Sequence, residues 1–464
     1  MLQRRVAVIF ISAFKQVIIM RRGRFEKMFY NFMAKYYMRS CIDEYRIIDS
    51  IKTPGELQEF QETRLKNLLI HSYKNVPYYQ NVFNEIGLTD GNTVDLSKFS
   101  SLPILSRDIV KNHEKELISK DYQTRKWHYT SSGGSTGEPL RLMLDDTYSR
   151  WEKAVGEIYH KKFLGIERVK CKEIVLWGSE RDILHGIGYR FLQFFINTRI
   201  LNSFRMTDDS LKRYIDIINH EKPEYIRGYA NSLLELCNYI DNHQLTIFQP
   251  KILASSAEML YPFMREKIEK TFGTKIYDFY GSREVGNITG ECSKGLMHMF
   301  DYWNYLEVLD DDDKPVKEGE EGRIIVTSLH NYSMPFIRYE IGDRGILGPV
   351  KCECGSILPT LSKVTGRSLD YLKTKDGTLI SAMYFTRLLH PKVWVKKFQV
   401  IQEDFLSIRI YIVPSTEMNP DDKTDIEHKI RSRMGSECRI SWEIVDEIPK
   451  TISGKYRYVI SKVK

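Results

Sequence analysis

The chain has 464 residues, of which 42% are hydrophobic and 28% are charged, and its mean hydropathy is −0.38. This balance excludes a disordered chain, and the length favours more than one domain. Seven cysteines are too few for a disulfide scaffold and fit a reducing, cytoplasmic compartment.

The positive charge is concentrated at the N-terminus. Residues 1–40 contain nine Lys or Arg and one acidic residue, and the whole chain has a net charge of +8. Because the remainder is balanced, the sequence does not predict nucleic-acid binding. An apolar run over residues 6–20 is interrupted by Lys15 and is shorter than the ~20 residues of a membrane-spanning helix. For residues 1–45, two interpretations stay open: a helix packed on the protein, or a peripheral helix on an anionic membrane.

Alternating apolar runs and helical patterns predict an α/β body over residues 46–366. The predicted strands of this body lie at residues 174–177, 225–226, 252–254, 276–279, 305–309 and 323–329, and two predicted helices contain residues 211–218 and 233–239. The tail changes character: strands at residues 398–402, 405–413 and 439–445 with a helix over 421–433 predict a small β/α domain. We place the boundary so that this second domain covers residues 367–464.

A loop of small and hydroxylated residues precedes a predicted helix that starts at Thr147. It consists of Ser131, Ser132, Gly133, Gly134, Ser135, Thr136 and Gly137. Glycines let successive backbone N–H groups point at one place, and the hydroxyls add donors, so the loop could cradle an anion such as phosphate. It is not a Walker loop, because Glu138 and Pro139 follow its last glycine. Taken alone, the loop is better interpreted as a flexible surface connection.

Two later motifs carry side chains that suit a nucleotide. Tyr280 begins the motif Tyr-Gly-Ser-Arg-Glu and could stack on a base, while Glu284 ends it and could hold a phosphate-bound Mg²⁺. Asp343 follows Gly342 in what we interpret as a glycine turn, and its carboxylate suits the two hydroxyls of a ribose. Each motif is weak evidence by itself.

In order and spacing, these motifs resemble those of the adenylate-forming carboxylate ligases. Gly366-Arg367-Ser368-Leu369-Asp370 and Ser453-Gly454-Lys455 complete the pattern, which runs from about Leu102 to Lys455. Within this superfamily the chain resembles the phenylacetate–coenzyme A ligases, and among them the branch found with capsule and surface-polysaccharide genes. The resemblance implies a large adenylation domain of several subdomains followed by a small, mobile C-terminal cap.

The resemblance also assigns nucleotide-binding roles. It implies that the loop holds the phosphates of ATP, that Tyr280 and the Ala257-Glu258 pair lie by the adenine, and that Asp343 binds the ribose. The residues expected to bind ATP are Ser131, Ser132, Gly133, Gly134, Ser135, Gly137, Ala257, Glu258, Tyr280, Gly281, Asp343 and Arg367.

Catalytic roles follow from the same resemblance for Thr136, Glu284 and Lys455. Glu284 is expected to hold Mg²⁺, and Lys455 to contact the carboxylate and the α-phosphate during adenylation. Asp370 matches the hinge about which the cap of such enzymes turns between half-reactions. Glu138 stands where many relatives carry a lysine or another residue after the last glycine of the loop, a change that does not remove the phosphate cradle.

The expected function is therefore ATP-dependent, AMP-forming ligation in surface or capsular polysaccharide biosynthesis. A carboxylic acid would be activated as an acyl-adenylate and transferred to a thiol, with coenzyme A as one candidate, or to an amine. One alternative is an enzyme that makes an amide or stops at the adenylate. An alternative of another class is an inactive, membrane-peripheral scaffold that uses residues 1–40. The presence of Glu284, Asp343 and Lys455 argues against the scaffold.

Four residues suggest a structural zinc site. Cys292, His298, Cys352 and Cys354 would supply three thiolates and one imidazole, which satisfy tetrahedral Zn²⁺. Four protein ligands leave no open coordination position, so such a site would be structural. The alternative is four unrelated residues. The remaining cysteines are expected in the core, namely Cys41, Cys171, Cys237 and Cys438.

Overall fold

A computed structural model describes residues 35–132, 139–178, 197–203, 206–367, 371–449 and 456–463. The helices are α1 (Ile42–Ser50), α2 (Pro54–Asn75), α3 (Pro77–Ile86), α4 (Arg107–Asn112), α5 (Asp146–Lys162), α6 (Asp208–Glu221), α7 (Ala230–Asn242), α8 (Pro262–Phe272), α9 (Ala382–Leu389) and α10 (Pro420–Met434). The strands are β1 (Trp127–Ser131), β2 (Arg141–Asp145), β3 (Glu173–Trp177), β4 (Thr198–Asn202), β5 (Tyr225–Gly228), β6 (Ile252–Ser256), β7 (Ile276–Ser282), β8 (Gly286–Glu291), β9 (Met297–Met299), β10 (Asn304–Leu309), β11 (Glu321–Ser328), β12 (Tyr339–Leu347), β13 (Thr360–Arg367), β14 (Tyr371–Lys373), β15 (Leu379–Ser381), β16 (Val395–Asp404), β17 (Ser407–Pro414), β18 (Arg439–Ile444) and β19 (Val459–Ser461).

The large domain is built on a sheet with the strand order β10-β11-β12-β13-β9-β8-β7-β6-β5-β3-β4. Strands β3 to β7 run parallel to their neighbours, while β7 to β13 are joined by antiparallel pairs. The parallel and antiparallel parts meet at β7. Within the antiparallel part, β9 pairs with β13, at His298 opposite Thr360 and Met297 opposite Leu361. One end of this sheet therefore collects the carboxyl ends of the parallel strands, a common position for ligands.

Helix α6 illustrates how the sequence determines local structure. Leu211, Tyr214, Ile215 and Ile218 are buried at helical spacing, and the Thr207 side chain caps the first turn by accepting from the N–H of Ser210. The predicted helix is thus confirmed. The predicted strands of the body are confirmed as β3, β5, β6, β7, β10 and β11.

The cap, defined here as residues 371–463, has its own sheet and core. Its strand order is β18-β17-β16-β19, and β14 pairs with β15 beside it. Apolar residues of α9 and α10, including Phe385, Ile426 and Ile430, pack with the sheet residues Val400 and Ile410. The predicted small β/α domain is confirmed by this arrangement.

The described part of the N-terminal segment packs on the large domain. Residues 35–39 are helical and α1 follows them, with Cys41 fully buried against α5. Arg150 of α5 donates to Glu44 at 2.7 Å. Residues 1–34 lie outside the described part, so the membrane interpretation of the apolar run stays a prediction. Among the residues that the structure describes, no helix combines the length and apolar character needed to cross a bilayer.

Candidate active site

The candidate site residues gather at the carboxyl end of the parallel strands. β5 ends at Gly228, β6 at Ser256 and β7 at Ser282. Immediately beyond these ends lie the first turn of α7, the pair Ala257-Glu258, and Glu284. The sheet therefore brings together motifs that are far apart in the sequence.

The Ala257-Glu258 pair follows β6 in the chain, and Glu258 contacts the start of α7. Ala257 has a φ of 67°, a left-handed conformation that non-glycine residues rarely adopt and that often marks a functional site. The Glu258 carboxylate accepts from both the backbone N–H and the side-chain Nδ2 of Asn231, each at 3.0 Å. Since Tyr229, the N-cap residue of α7, makes no side-chain cap bond, Glu258 satisfies this helix terminus from outside.

Tyr280 and Asp343 meet although they are distant in the chain. The Tyr280 hydroxyl donates to Asp343 Oδ2 at 2.6 Å. Tyr280 is half-buried on β7, and its ring packs against the core of the large domain. The structure thus places the predicted base-stacking residue beside the predicted ribose-binding carboxylate.

The prediction of a glycine turn before Asp343 is wrong. Gly342 and Asp343 lie within β12, in a bulge: between the pairs Ile325–Glu340 and Arg323–Arg344, residues 341–343 oppose the single residue 324. Gly342 has a φ of 83°, which explains the glycine there. Bulges beside active sites redirect side chains, and this one presents Asp343 to Tyr280.

Glu284 lies within the tight turn between β7 and β8, and close strand contact beside this turn requires a glycine. A Cβ at Gly281 would lie 2.6 Å from the carbonyl oxygen of Gly286, so that position accepts no side chain. The Ser282 hydroxyl accepts from the N–H groups of Glu284 at 3.2 Å and Val285 at 3.3 Å, which fixes the turn.

Arg107, which the sequence analysis missed, faces Glu284. Its Nη1 is 3.6 Å from Glu284 Oε1, and its Nη2 donates to the buried Ser132 hydroxyl at 3.2 Å. Arg107 is the first residue of α4, and Leu105 just before it pairs with Tyr339 of β12. No periodicity or motif distinguished this arginine from an ordinary charge at a helix start.

The Gly/Ser loop is closed at its base. Leu140 donates its N–H to the Ser132 hydroxyl at 2.8 Å, and Ser132 donates its own N–H to the Leu140 carbonyl at 2.9 Å. Arg283 donates to the carbonyl of Ser131 at 3.3 Å. Both described ends of the loop therefore lie within reach of the Glu284 turn.

Several predicted site residues fall outside the described part of the chain. They are Gly133, Gly134, Ser135, Thr136, Gly137, Asp370 and Lys455. Arg367 ends β13 with its backbone opposite Asp343, while its side chain is outside the description. Tyr456, which follows Lys455 in sequence, donates its backbone N–H to Glu258 Oε1 at 3.4 Å.

The cap contacts the large domain beside Glu258. The Tyr458 hydroxyl donates to Asn231 Oδ1 at 3.3 Å. His390 stacks on Phe263 with ring centroids 3.4 Å apart, and burial lowers the pKa of this histidine to about 4. Neutral His390 can therefore pack against an aromatic ring at neutral pH without the cost of burying a charge.

The four predicted metal ligands converge. The possible ligand atoms of Cys292, His298, Cys352 and Cys354 all lie within 4.8 Å of one another. The Sγ atoms of Cys292 and Cys352 are 3.7 Å apart, close to the ~3.8 Å edge of a tetrahedron with Zn–S bonds of ~2.3 Å. His298 Nδ1 is 3.0 Å from the Leu358 carbonyl, which directs Nε2 toward Cys354 Sγ at 3.2 Å.

Two similar backbone turns present the thiols. The N–H of Gly295 donates to the carbonyl of Cys292, and the N–H of Gly355 donates to that of Cys352. Both glycines have left-handed φ angles, 84° and 80°. Burial raises the pKa of Cys354 to about 12, so thiolates here require a cation to offset their charge. The donor set fits Zn²⁺.

The remaining cysteines confirm the core prediction: Cys41, Cys171, Cys237 and Cys438 are all buried and reduced.

The family described as the CapK C-terminal domain matches residues 372–462. The chain is 25% identical over 456 residues to protein CapK of Staphylococcus aureus, covering 93% of this chain and 95% of that protein. It is 21% identical over 446 residues to a phenylacetate–coenzyme A ligase of Thermus thermophilus, covering 87% and 96% of the two chains.

Solved structures share the fold. A 2-hydroxyisobutyryl-CoA ligase in the postadenylation state, with 2-HIB-AMP, has a TM-score of 0.68 at 17% identity over 88% of each chain. The same ligase in the thioester-forming state has a TM-score of 0.55 at 17% identity over 88% and 89%. The amide bond synthetase McbA of Marinactinospora thermotolerans has a TM-score of 0.52 at 15% identity over 71% and 67%. The expected fold class is confirmed, and the chain is a homologue of CapK and of the phenylacetate–coenzyme A ligases, with the fold of the adenylate-forming ligases.

Proposed function

We propose that this protein is an ATP-dependent, AMP-forming ligase. A carboxylate oxygen of the substrate attacks the α-phosphorus of ATP, pyrophosphate leaves, and an acyl-adenylate forms. A thiol or an amine then attacks the acyl carbon, and AMP leaves. Both half-reactions bring charged groups together, so the site must hold them in position and offset their charge.

One observation carries the proposal: two groups of side chains meet around the carboxyl end of β7, and one of them contacts the Gly/Ser loop. Tyr280 and Asp343 form a pair suited to a nucleoside, with an aromatic ring next to a carboxylate. Glu284 and Arg107 form a charged pair beside Ser132, suited to phosphates and their cation. The convergence of the two groups at one edge of the sheet supports a nucleoside triphosphate as ligand.

Glu284 is the residue that would hold Mg²⁺, which would neutralise phosphate charge. In the structure Arg107 offsets the charge of Glu284 at 3.6 Å. Burial and the charge of Glu284 raise the pKa of Tyr339, so this neighbouring hydroxyl stays protonated. Lys455 is proposed to contact the carboxylate and the α-phosphate, and Thr136 and the loop glycines to contact the outer phosphates.

The first experiment is pyrophosphate exchange with a panel of carboxylic acids. Activity with one acid that is lost in Lys455→Ala and Glu284→Ala would support the ligase. A surface arginine-to-alanine variant, Arg409→Ala, removes an exposed pair with Glu443 and should retain activity. Absence of exchange with every acid would contradict the proposal and favour the scaffold alternative.

The acyl acceptor, a thiol or an amine, distinguishes two forms of the proposed reaction. Thiol transfer to coenzyme A is supported by the homology to phenylacetate–coenzyme A ligases, and amine transfer by the likeness in fold to an amide bond synthetase. Product analysis with coenzyme A, amino acids and amino sugars separates them. Release of free acyl-adenylate alone would support the third form, an enzyme that stops at adenylation.

The second part of the proposal is a structural Zn²⁺ held by Cys292, His298, Cys352 and Cys354. The four converging ligand atoms support it, and they leave no coordination position for substrate. Elemental analysis should find one zinc per chain, and Cys354→Ser should lower both zinc content and the melting temperature. Cys237→Ser, at a buried cysteine outside the cluster, is the control that should retain zinc.

Cellular location and pathway are proposed on sequence grounds alone. Residues 1–40 would bring a cytoplasmic enzyme to an anionic membrane surface, and the resemblance described above suggests surface-polysaccharide biosynthesis. Flotation with anionic vesicles, compared between the full chain and a variant whose arginines in residues 1–24 are replaced by glutamine, tests the membrane contact. Equal flotation of both would contradict it.

A further inference from the structure

The contact between the large domain and the cap centres on one carboxylate, that of Glu258. Its Oε2 accepts from the backbone N–H and Nδ2 of Asn231 at 3.0 Å each. Its Oε1 accepts from the backbone N–H of Tyr456 at 3.4 Å. Asn231 belongs to α7 of the large domain and Tyr456 to the cap, so the two oxygens of one side chain join the two domains.

The cap segment that Glu258 contacts is firmly part of the cap. The Tyr456 hydroxyl donates to the carbonyl of Phe398 on β16. Tyr458 packs against the cores of both domains, and its hydroxyl donates to Asn231. The Glu258–Asn231 pair is therefore linked to the sheet of the cap through Tyr456 and Tyr458.

The backbone conformation of the residue before Glu258 sets the direction of the Glu258 side chain. The preceding residue, Ala257, adopts the left-handed conformation with a φ of 67°. For a residue with a Cβ this conformation is strained, and such strain persists where the surrounding structure fixes it. The carboxylate is thus presented to α7 and to the cap from a rigid point at the end of β6.

We propose that Glu258 is a positioning residue that holds the cap in the orientation for acid activation. The inference rests on the proposed function. Tyr456 directly follows Lys455 in sequence, and the chain is more similar to a postadenylation structure, with a TM-score of 0.68, than to a thioester-forming one, with 0.55. A turn of the cap would separate Tyr456 from Glu258. The contact therefore supports the first half-reaction and not the second.

The variant Glu258→Gln separates the two roles of the carboxylate. The remaining carbonyl oxygen of this side chain can still accept from both donors of Asn231, so the N-terminus of α7 stays hydrogen-bonded. Its amide NH₂ then faces the N–H of Tyr456, donor against donor, and the interdomain hydrogen bond is lost. Glu235→Gln is the matched control, because Glu235 lies on α7 and makes a different contact between the domains, an ion pair with Lys397 of the cap at 3.7 Å.

Three measurements test the inference on the full chain. Glu258→Gln should slow pyrophosphate exchange about tenfold, the loss expected when a hydrogen bond to a charged acceptor is removed. The transfer rate from synthetic acyl-adenylate to the acceptor should stay within twofold of wild type. Hydrogen–deuterium exchange should accelerate in the peptide that contains Tyr456, while Glu235→Gln leaves all three measurements unchanged.

Equal losses in both half-reactions, or unchanged amide exchange at Tyr456, would overturn the inference. Those results would mean that Glu258 only supports α7. Failure of the proposed function is recognised separately: wild type would then show no pyrophosphate exchange with any acid. The amide exchange at Tyr456 needs no substrate, so in that case it still decides whether Glu258 joins the two domains.

Discussion

The pair formed by Arg107 and Glu284 allows a test of whether Arg107 opposes or supports the binding of a cation at the candidate site. If Glu284 holds the phosphate-bound cation, the guanidinium of Arg107 competes with that cation for the same carboxylate. Replacing Arg107 by alanine should therefore increase the affinity for a divalent cation. A role of Arg107 in cation binding would predict the opposite change.

The expected change in cation affinity follows from the distance between the charges of Arg107 and Glu284. Opposite unit charges 3.6 Å apart attract by about 4–5 kcal/mol at an effective dielectric constant of about 20. The two side chains are 27% and 13% exposed, so solvent screening reduces the net value to about 1–2 kcal/mol. The affinity for the cation should therefore rise by roughly 5- to 30-fold.

Mn²⁺ is a suitable probe, because free Mn²⁺ can be counted by electron paramagnetic resonance. The titration is made with a non-hydrolysable ATP analogue, in wild type, Arg107→Ala and Arg107→Lys. The lysine variant keeps the charge and should bind Mn²⁺ as wild type does, and Glu284→Gln should abolish the difference. An unchanged or weaker affinity in Arg107→Ala would refute the assignment of Glu284 as the cation ligand.

Three further changes have predictable effects. Tyr280→Phe removes the 2.6 Å hydrogen bond to Asp343 and should raise KM for ATP about tenfold with little change in kcat, measured by pyrophosphate exchange. Gly290→Ala places a methyl group 2.6 Å from Cζ of the buried Tyr159 and should cost about 1–3 kcal/mol in denaturant unfolding. Asp301→Asn removes a carboxyl whose pKa burial raises to about 8. The folded wild type retains that proton while the unfolded chain loses it, so wild type should lose stability relative to the variant as pH rises from about 4 to 8, by at most about 1.4 kcal/mol per pH unit.

Each of these predictions has a control or a contradicting result. Gly55 has no atom within 4 Å of an added Cβ, so Gly55→Ala should change stability by less than about 1 kcal/mol. An unchanged free energy of unfolding in Gly290→Ala would mean that the neighbouring Tyr159 ring can move aside. An unchanged KM in Tyr280→Phe would remove that hydroxyl from the nucleotide site. Parallel stability curves between pH 5 and 8 would show that Asp301 is not a buried acid.

The parts of the fold that were predictable are those with strong local patterns. Strands such as β6 read as continuous apolar runs, because parallel strands are buried on both faces. Tyr280, Glu284 and the Cys-x-Cys pair stood out because their residue types and spacing suit a known chemistry. Such patterns lie in neighbouring residues, so they can be recognised without knowledge of tertiary contacts.

The parts that were missed depend on contacts between distant segments. Arg107 and Asn231 both lie in the first turn of a helix, where a polar residue usually contacts solvent or the helix terminus. Their partners come from other elements, so no local pattern marks them. Gly342 was misread for a related reason: a Gly-Asp pair is typical of a turn, but pairing with neighbouring strands holds the segment in β12 as a bulge.

The short pairing between β9 and β13 links the cluster of Cys292, His298, Cys352 and Cys354 to the candidate nucleotide site. Tyr280 lies on one side of that junction and Asp343 on the other, while His298 lies at the junction itself, paired with Thr360. A zinc ion held by His298 and the three thiols would act as a clamp across the junction. Loss of the ion would then weaken the pairing of β9 with β13 and loosen the contact between Tyr280 and Asp343, although neither of these residues is a ligand of the metal.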